Sequence, residues 1–73
     1  KDVAMGLPIL TITGTNDLCV ENYRGMTEYT DQIIRLQSKS GQIKITGKKL
    51  EVIYYTNDEM KIHGQIRTIE YQL

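Results

Sequence analysis

The sequence predicts an all-β fold: a small antiparallel β-sandwich-like domain of seven or eight short strands. Residues 10–14, 43–47 and 60–64 repeat one pattern, an apolar residue, a polar residue, an isoleucine, a polar residue and a glycine. A second alternating run follows each repeat within a few residues. Alternation with a period of two indicates a strand with one buried face, and a glycine between two such runs is typical of a reversing turn. Because alternation does not give strand order, a partly open barrel or a rolled sheet is the alternative.

Turn-forming residues divide the alternating runs into short strands. Pro8 lacks a backbone N–H and fits just ahead of the first strand. Arg24 and Gly25 interrupt the pattern after the second strand, and Gly47 and Gly64 separate the later runs. The predicted strands are residues 9–13, 18–22, 26–29, 33–37, 42–46, 49–55, 59–63 and 66–72.

The fourth strand, residues 33–37, has a helical alternative. Thr30 could cap a short helix with Ile33, Ile34 and Leu36 as its apolar residues. Two adjacent β-branched isoleucines and the strands on either side favour a strand instead.

Alternation also assigns a buried and an exposed face to the last four strands. The side chains predicted to point inward are Ile43, Ile45, Leu50, Val52, Met60 and Ile62. Those predicted to face water are Lys44, Thr46, Glu51, Lys61 and His63. Residues 52–55 are apolar on both faces, so we expect a second layer of the same protein to cover them. A homo-oligomer assembled through this run is the other interpretation.

Length and charge limit the function. The 73 residues allow one domain, residues 1–73, with a small core that lacks tryptophan and phenylalanine. Nine basic and nine acidic residues give a net charge of zero, so the molecule as a whole has no strong attraction for nucleic acid or anionic lipid. No apolar run approaches the roughly 20 residues that cross a bilayer, and no charged-then-apolar leader opens the chain. The single Cys19 cannot form an internal disulfide, so we expect a cytoplasmic protein.

No combination of residues predicts catalysis, and we expect that the protein is not an enzyme. His63 has no second histidine near it, which is typical of a surface histidine and not of a metal ligand. Cys19 lies in a strand without a Cys-His pattern, so we expect a half-buried structural thiol. The acidic turn at residues 57–59 lacks the spaced carboxylates of a calcium loop. We therefore expect no catalytic, cofactor-binding or metal-binding residue, no cofactor and no small-molecule substrate.

One basic stretch points to a second class of function. Between Asp31 and Glu51 the chain carries five basic residues and no acidic one, and Tyr54 and Tyr55 follow. Cations that bind phosphates and rings that stack on bases are what a small nucleic-acid-binding β-fold needs. The zero net charge argues against nucleic acid, and lysines on exposed strands also discourage aggregation. The residues of this alternative lysine-rich face are Lys44, Lys48, Lys49 and Lys61.

Residues 21–25 combine charged, hydrogen-bonding and turn-forming residues that a strand alone does not require. A glycine after an arginine permits a left-handed backbone, and Asn22 favours the same turn. Glu21, Asn22 and Arg24 also place a charged, hydrogen-bonding cluster at one end of the sheet. The candidate partner-binding residues are therefore Glu21, Asn22, Arg24 and Gly25.

Motifs along the whole chain come in a recognisable order and spacing. They are Lys1-Asp-Val3, Leu7-Pro8, Ile12-Thr-x-Gly14, Glu21-Asn22-x-Arg24-Gly25, Glu28-Tyr29, Ile34-Arg35-Leu36, Gly41, Ile45-x-Gly47, Glu59-Met-x-Ile62-x-Gly64-x-Ile66 and Ile69-Glu-Tyr71. In this order the chain resembles the YabP/YqfC family of sporulation proteins, and most closely its YqfC branch. Glu-Asn-x-Arg-Gly is the most distinctive of these motifs.

This resemblance implies a single YabP/YqfC-like β domain of endospore-forming bacteria, made in the mother cell and needed to complete the spore. It also implies a sporulation membrane protein as partner. The protein would then be a non-enzymatic assembly or adaptor factor in the mother-cell cytoplasm, or held at a membrane surface through that partner. Family members carry short extensions beyond both ends of the matched motifs, so we expect any docking by those extensions to lie outside this chain.

Overall fold

A computed structural model describes residues 5–73 as one continuous antiparallel β-sheet. Its strands are β1 (Ile9–Thr13), β2 (Asp17–Glu21), β3 (Tyr23–Tyr29), β4 (Ile33–Ser38), β5 (Gly41–Tyr55) and β6 (Glu59–Gln72). They lie in the order β1-β2-β6-β5-β4-β3. The all-β prediction is confirmed, but the sandwich of seven or eight short strands is not, because residues 5–73 form one open six-stranded sheet. This part of the chain has no helix that could span a membrane.

The strand number differs from the prediction because Gly47 and Gly64 do not reverse the chain. The β5–β6 ladder continues past both glycines, with Gly47 opposite Ile66. The register shifts on either side of this pair, so the two strands bend together without separating. Each predicted pair of short strands is therefore one strand, of 15 residues in β5 and 14 in β6.

The close approach of β5 and β6 explains why the bend contains glycines. A Cβ atom on Gly47 would lie 2.1 Å from the carbonyl oxygen of Gln65. One on Gly64 would lie 2.6 Å from the carbonyl oxygen of Lys49, and Gly64 also has a φ of +148° that L side chains rarely adopt. Both positions therefore need glycine because the backbones of β5 and β6 approach closely at the bend. Neither glycine reverses the chain.

Two hairpin turns supply hydrogen bonds at the bend. In the β1–β2 turn, the carbonyls of Thr15 and Asn16 accept N–H groups of β6 at 3.1 and 3.0 Å. In the β3–β4 turn, the carbonyls of Asp31 and Gln32 accept N–H groups of β5 at 2.8 and 3.0 Å. Backbone groups that would otherwise lack partners are thereby satisfied, and the bend is held from both sides.

The bend divides the sheet into two halves that share one core. The β1–β2 half contains β1, β2 and residues 51–55 and 59–63, and the β3–β4 half contains β3, β4 and residues 41–46 and 66–72. Val52, predicted to point inward, is half-buried and packs against the core. The buried core residues are Leu18, Val20, Tyr23, Ile34, Leu36, Ile43, Ile45, Leu50, Met60 and Ile62.

The fourth predicted strand is confirmed as β4. Thr30 does cap the preceding segment, but the segment is a turn and not a helix. Its Oγ1 accepts the N–H groups of Gln32 and Ile33 at 3.1 and 2.9 Å. A threonine before a tight turn thus satisfies the same donors that it would satisfy at a helix start.

Candidate functional site

The connection between β2 and β3 joins the two halves of the sheet through one residue. β2 ends at Glu21 and β3 begins at Tyr23, so Asn22 alone makes the corner. Asn22 has a φ of +66°, a left-handed conformation that asparagine tolerates better than most residues. Its N–H donates to the carbonyl of Asp58 at 2.8 Å, and its Nδ2 donates to the carbonyl of Leu7 at 3.1 Å. Asn22 therefore ties this corner to the β5–β6 turn and to the segment before β1.

Tyr23, next to the corner, is buried in the core. Its ring stacks on Tyr55 with ring centroids 5.9 Å apart. Its hydroxyl donates to the carbonyl of Thr56 and lies 3.3 Å from the carbonyl of Glu59. Burial raises the pKa of Tyr23 to about 12, so the phenol stays protonated and acts as a donor. Sequence reasoning missed this residue, although a tyrosine in the variable position of the Glu-Asn-x-Arg-Gly motif was a usable signal.

Arg24 and Gly25 lie inside β3 and do not interrupt it, which corrects the predicted break. The register with β4 shifts between Tyr23 and Gly25, so the strand accommodates the irregularity as a bulge. Gly25 does not have a positive φ, and a Cβ atom there would meet nothing within 4 Å. The left-handed residue of the motif is therefore Asn22 and not Gly25. Arg24 is exposed, and within residues 5–73 its guanidinium has no hydrogen-bond or ion-pair partner.

A shallow depression of about 430 Å³ lies at this end of the sheet. Arg24 and Lys39 line it, and both are donor-only cations. Lys39 Nζ donates to the carbonyl of Met5 at 2.8 Å, so this ammonium is held over the depression. We call this surface, lined by Met5, Gly6, Asn22, Tyr23, Arg24 and Lys39, the basic depression.

A second polar cluster lies on the outer face of the β1–β2 half. Cys19 Sγ and the Tyr54 hydroxyl both donate to Oε2 of Glu59, at 3.5 and 3.2 Å. Burial raises the pKa of the Cys19 thiol, and the Glu59 carboxylate acts in the same direction. Since the thiolate is the nucleophile, this half-buried thiol is poorly suited to react.

His63 lies on the same outer face, at the β6 bend. It is exposed, and its Nδ1 lies 2.9 Å from Oδ1 of Asp17 on β2. The hydrogen bond from His63 lowers the pKa of Asp17, with a smaller contribution from the charge of Lys61. Within residues 5–73 no group of three or more His, Cys, Asp or Glu side chains is placed to hold a metal ion.

The structure places the four candidate lysines in different parts of the sheet. Lys44 lies between buried isoleucines on the outer face of the β3–β4 half, and Lys61 lies on the outer face of the β1–β2 half. Lys48 and Lys49 are exposed at the bend, where Lys49 has a φ of +54°. Arg35, from the same basic stretch, is paired with a glutamate of β3. The candidate lysines thus lie in both halves of the sheet and at the bend between them, and a nucleic-acid-binding face stays a prediction.

The register of β5 with β6 shifts between Val52 and Tyr54, and this shift explains why neighbouring apolar side chains of residues 52–55 point in different directions. Val52 faces the core, and Tyr55 covers Tyr23. Tyr54 points outward to the second polar cluster, while Ile53 is 52% exposed at the shift. The end of β3 shields this edge, because the N–H of Val52 donates to the Tyr29 hydroxyl at 3.0 Å. A homo-oligomer through this run stays a prediction.

Comparison with known proteins extends over the whole described sheet. The model of the YabP family matches residues 7–73. The chain belongs to the YabP family. It is 33% identical over 70 residues to the "Uncharacterized protein YqfC" of Bacillus subtilis (strain 168), a match that covers 96% of this chain and 75% of that protein. No solved structure matches the chain. The resemblance read from the motifs is thus confirmed, although its Lys1-Asp-Val3 motif lies outside the described residues.

Within this YabP-family chain the structure separates the roles of the candidate residues. Asn22 holds the corner, and Tyr23 anchors it to the core. Arg24 is the member of the motif that is both exposed and unpaired among the described residues. Glu21 is half-buried at the end of β2, and Gly25 lies in an open part of β3. The segment therefore combines a rigid corner with one accessible cation.

Proposed function

We propose that this YabP-family protein is a non-enzymatic sporulation protein that acts as an assembly or adaptor factor in the mother cell by binding a sporulation membrane protein. Membership of the family supports the link to sporulation. Binding is supported by one observation above all: beside the hydrogen-bonded Asn22 corner, the guanidinium of Arg24 is exposed and has no partner among the described residues. The protein reaches the membrane surface through this partner and stays in the mother-cell cytoplasm otherwise.

The chemistry of the basic depression suits a carboxylate on the partner. A guanidinium presents a planar fork of donors that matches a carboxylate with two parallel hydrogen bonds. Lys39 adds a second positive charge on the same surface. Asn22 and Tyr23 are held by hydrogen bonds to backbone carbonyls, so the corner beside Arg24 is already ordered before a partner binds. An acidic segment of the membrane protein is the ligand that this surface fits.

A non-enzymatic role agrees with the groups near the candidate site. The described residues that line the basic depression include no serine, cysteine, histidine or carboxylate. Cys19 and His63 lie instead on the outer face of the β1–β2 half, and each is hydrogen-bonded to a carboxylate. This surface is suited to hold a partner by charge and hydrogen bonds.

A pull-down from sporulating cells tests this proposal. The tagged protein should capture a membrane protein of the sporulation programme, and Arg24→Ala should lose it. Arg67→Ala is the matched control, because Arg67 is also exposed and lacks a partner among the described residues but lies on β6, in the β3–β4 half, outside the basic depression. Spore yield should follow capture when each variant complements a deletion strain. Full spore yield from a folded Arg24→Ala protein would refute the proposed surface.

Nucleic acid is tested in the same experiment by identifying bound RNA. Enrichment of RNA that high salt removes would favour the alternative of a small nucleic-acid-binding β-fold. Substituting Lys44 and Lys61 together should then reduce RNA capture, because they lie on the outer faces of the two halves.

A further inference from the structure

The free edges of the sheet differ in how they are protected from pairing with another strand. β3 has two register shifts along its length. The free edge of β5 is covered by the β3–β4 turn, which accepts the N–H of Leu50, and by the end of β3, where the Tyr29 hydroxyl accepts the N–H of Val52. The free part of β6 carries Arg67 and Glu70, and its first N–H groups bond to the β1–β2 turn. Bulges, charges and covering turns are the usual means by which sheets avoid edge-to-edge association.

β1 lacks all of these features. Its five residues, Ile9–Thr13, carry no charge, contain no proline and pair with β2 without a register shift. Leu10 and Ile12 face inward, because they lie opposite the buried Val20 and Leu18. Ile12 is nevertheless 54% exposed, since no strand beyond β1 covers it within residues 5–73. Among the described residues, nothing therefore pairs with the free backbone groups of this edge or covers its apolar face.

We infer that β1 pairs antiparallel with β1 of a second copy of this chain, with Thr11 opposite Thr11 on the two-fold axis. In this register Leu10 lies opposite Ile12 of the second copy, so the inner face gains two apolar pairs. Ile9 lies opposite Thr13 of the second copy on the outer face. Thr–Thr and β-branched cross-strand pairs are favourable, and no charged residue opposes another. The same strand supplies both sides of the contact, as a two-fold interface requires.

The second copy is favoured over a strand of another protein because the edge is self-complementary and offers no charge for a different partner to match. The contact is also independent of the proposed function, because it uses none of the residues of the basic depression. A pairing of two five-residue strands is small, so we expect association that depends on concentration and not a permanent dimer.

Sedimentation equilibrium between micromolar and millimolar protein tests this inference. The apparent mass should rise from one chain towards two. Thr11→Lys places two lysines opposite each other on the two-fold axis and should weaken association at least about tenfold. Thr13→Lys is the matched control, because the same exposed lysine would lie opposite Ile9 and association should persist. Circular dichroism establishes that each variant is folded, and Thr11→Glu carries the same test if the lysine variant unfolds.

Mixing charges tests the register itself. Thr11→Lys and Thr11→Glu should each stay monomeric, and an equimolar mixture should form a heterodimer, because lysine then opposes glutamate. A parent chain that stays monomeric up to millimolar concentration overturns the inference, as does Thr11→Lys that associates like the parent. A third outcome also contradicts the inference: the parent chain is monomeric, and the Thr11→Lys variant no longer captures the membrane protein in the pull-down. In that case β1 binds that partner and not a second copy.

Discussion

The chain passes between the two halves of its sheet in two regions, and they are built in opposite ways. At the β5–β6 bend, Gly47 and Gly64 are required because neighbouring backbone would lie 2.1 and 2.6 Å from any Cβ atom. At the β2–β3 corner, Asn22 adopts the left-handed conformation and uses its side chain as well, through the 3.1 Å bond to Leu7. The bend excludes side chains, whereas the corner depends on them.

This difference bears on where a binding surface can arise. The bend is enclosed by two hairpin turns whose carbonyls accept hydrogen bonds from both long strands. The corner is fixed by single contacts on a few residues and leaves Arg24 exposed beside it. Substitutions should therefore destabilise the fold most at the bend and less at the corner. A substitution at Arg24 should weaken binding and leave the stability of the fold unchanged.

The largest effect should come from adding a methyl group at the bend. Gly47→Ala or Gly64→Ala should destabilise the protein by about 3 kcal/mol or more, because backbone atoms on both strands must move apart. Urea denaturation followed by circular dichroism measures this loss. Gly25→Ala is the matched control: its Cβ atom would meet nothing within 4 Å, so stability should stay the same or rise by up to about 1 kcal/mol. Equal losses at Gly25 and at the bend would contradict the contrast.

A smaller effect should come from the corner. Asn22→Ala should cost about 1 to 2 kcal/mol, because alanine is strained at a φ of +66° and cannot bond to Leu7. Asn22→Gly relieves the strain but still lacks the bond, so it should cost less than Asn22→Ala. Urea midpoints of the two variants separate the conformational and hydrogen-bond contributions. If glycine and alanine prove equally destabilising, the left-handed backbone does not limit the choice of residue here.

Much of the core could be predicted from the sequence because alternation is a local property. Ile43, Ile45, Met60 and Ile62 are buried as predicted, since a strand exposes alternate side chains to opposite faces. Strand number could not be predicted in the same way. A glycine between two alternating runs is compatible with a turn or with a bend. At Gly47 the bend depends on a hydrogen bond from its N–H to the carbonyl of Gln32, in a turn distant in sequence.

The candidate site was predictable only in part for a related reason. The exposure of Arg24 follows from its position beside Tyr23 on a strand. The burial of Tyr23 depends in turn on Tyr55 of β5, which stacks on it from a position distant in sequence. Alternation gives the side of a strand on which a lysine lies, but it does not give the half of the sheet. Lys44 and Lys61 both point outward, yet from different halves.

The contribution of the tyrosine hydroxyl at the corner can be isolated with Tyr23→Phe. This change keeps the ring against Tyr55 but leaves the carbonyls of Thr56 and Glu59 without this donor, so it should cost about 1 kcal/mol. Thermal unfolding measures the loss. Tyr71→Phe is the control, because Tyr71 is 58% exposed and its hydroxyl makes no hydrogen bond within residues 5–73. A Tyr23→Phe protein as stable as the parent would mean that water replaces the phenol.

The smallest effect should be a pH dependence from Asp17 and His63, which join β2 to β6 beside Gly64. The hydrogen bond from His63 lowers the pKa of Asp17 below its ordinary value of 3.8. In acid the unfolded chain therefore takes up a proton before the folded chain does. The stabilisation is fully present above pH 3.8 and is lost as the pH falls through the lower folded value.

Urea midpoints measured from neutral pH into this acid range should fall more steeply for the parent than for Asp17→Asn. His63→Gln should flatten the same part of the curve, because it removes the same contact from the other strand. Parallel curves for the parent and both variants would show that the pair contributes nothing to the bend. In that case the bend would depend on its glycines and the carbonyls of the two turns alone, which would sharpen its contrast with the side-chain-dependent corner.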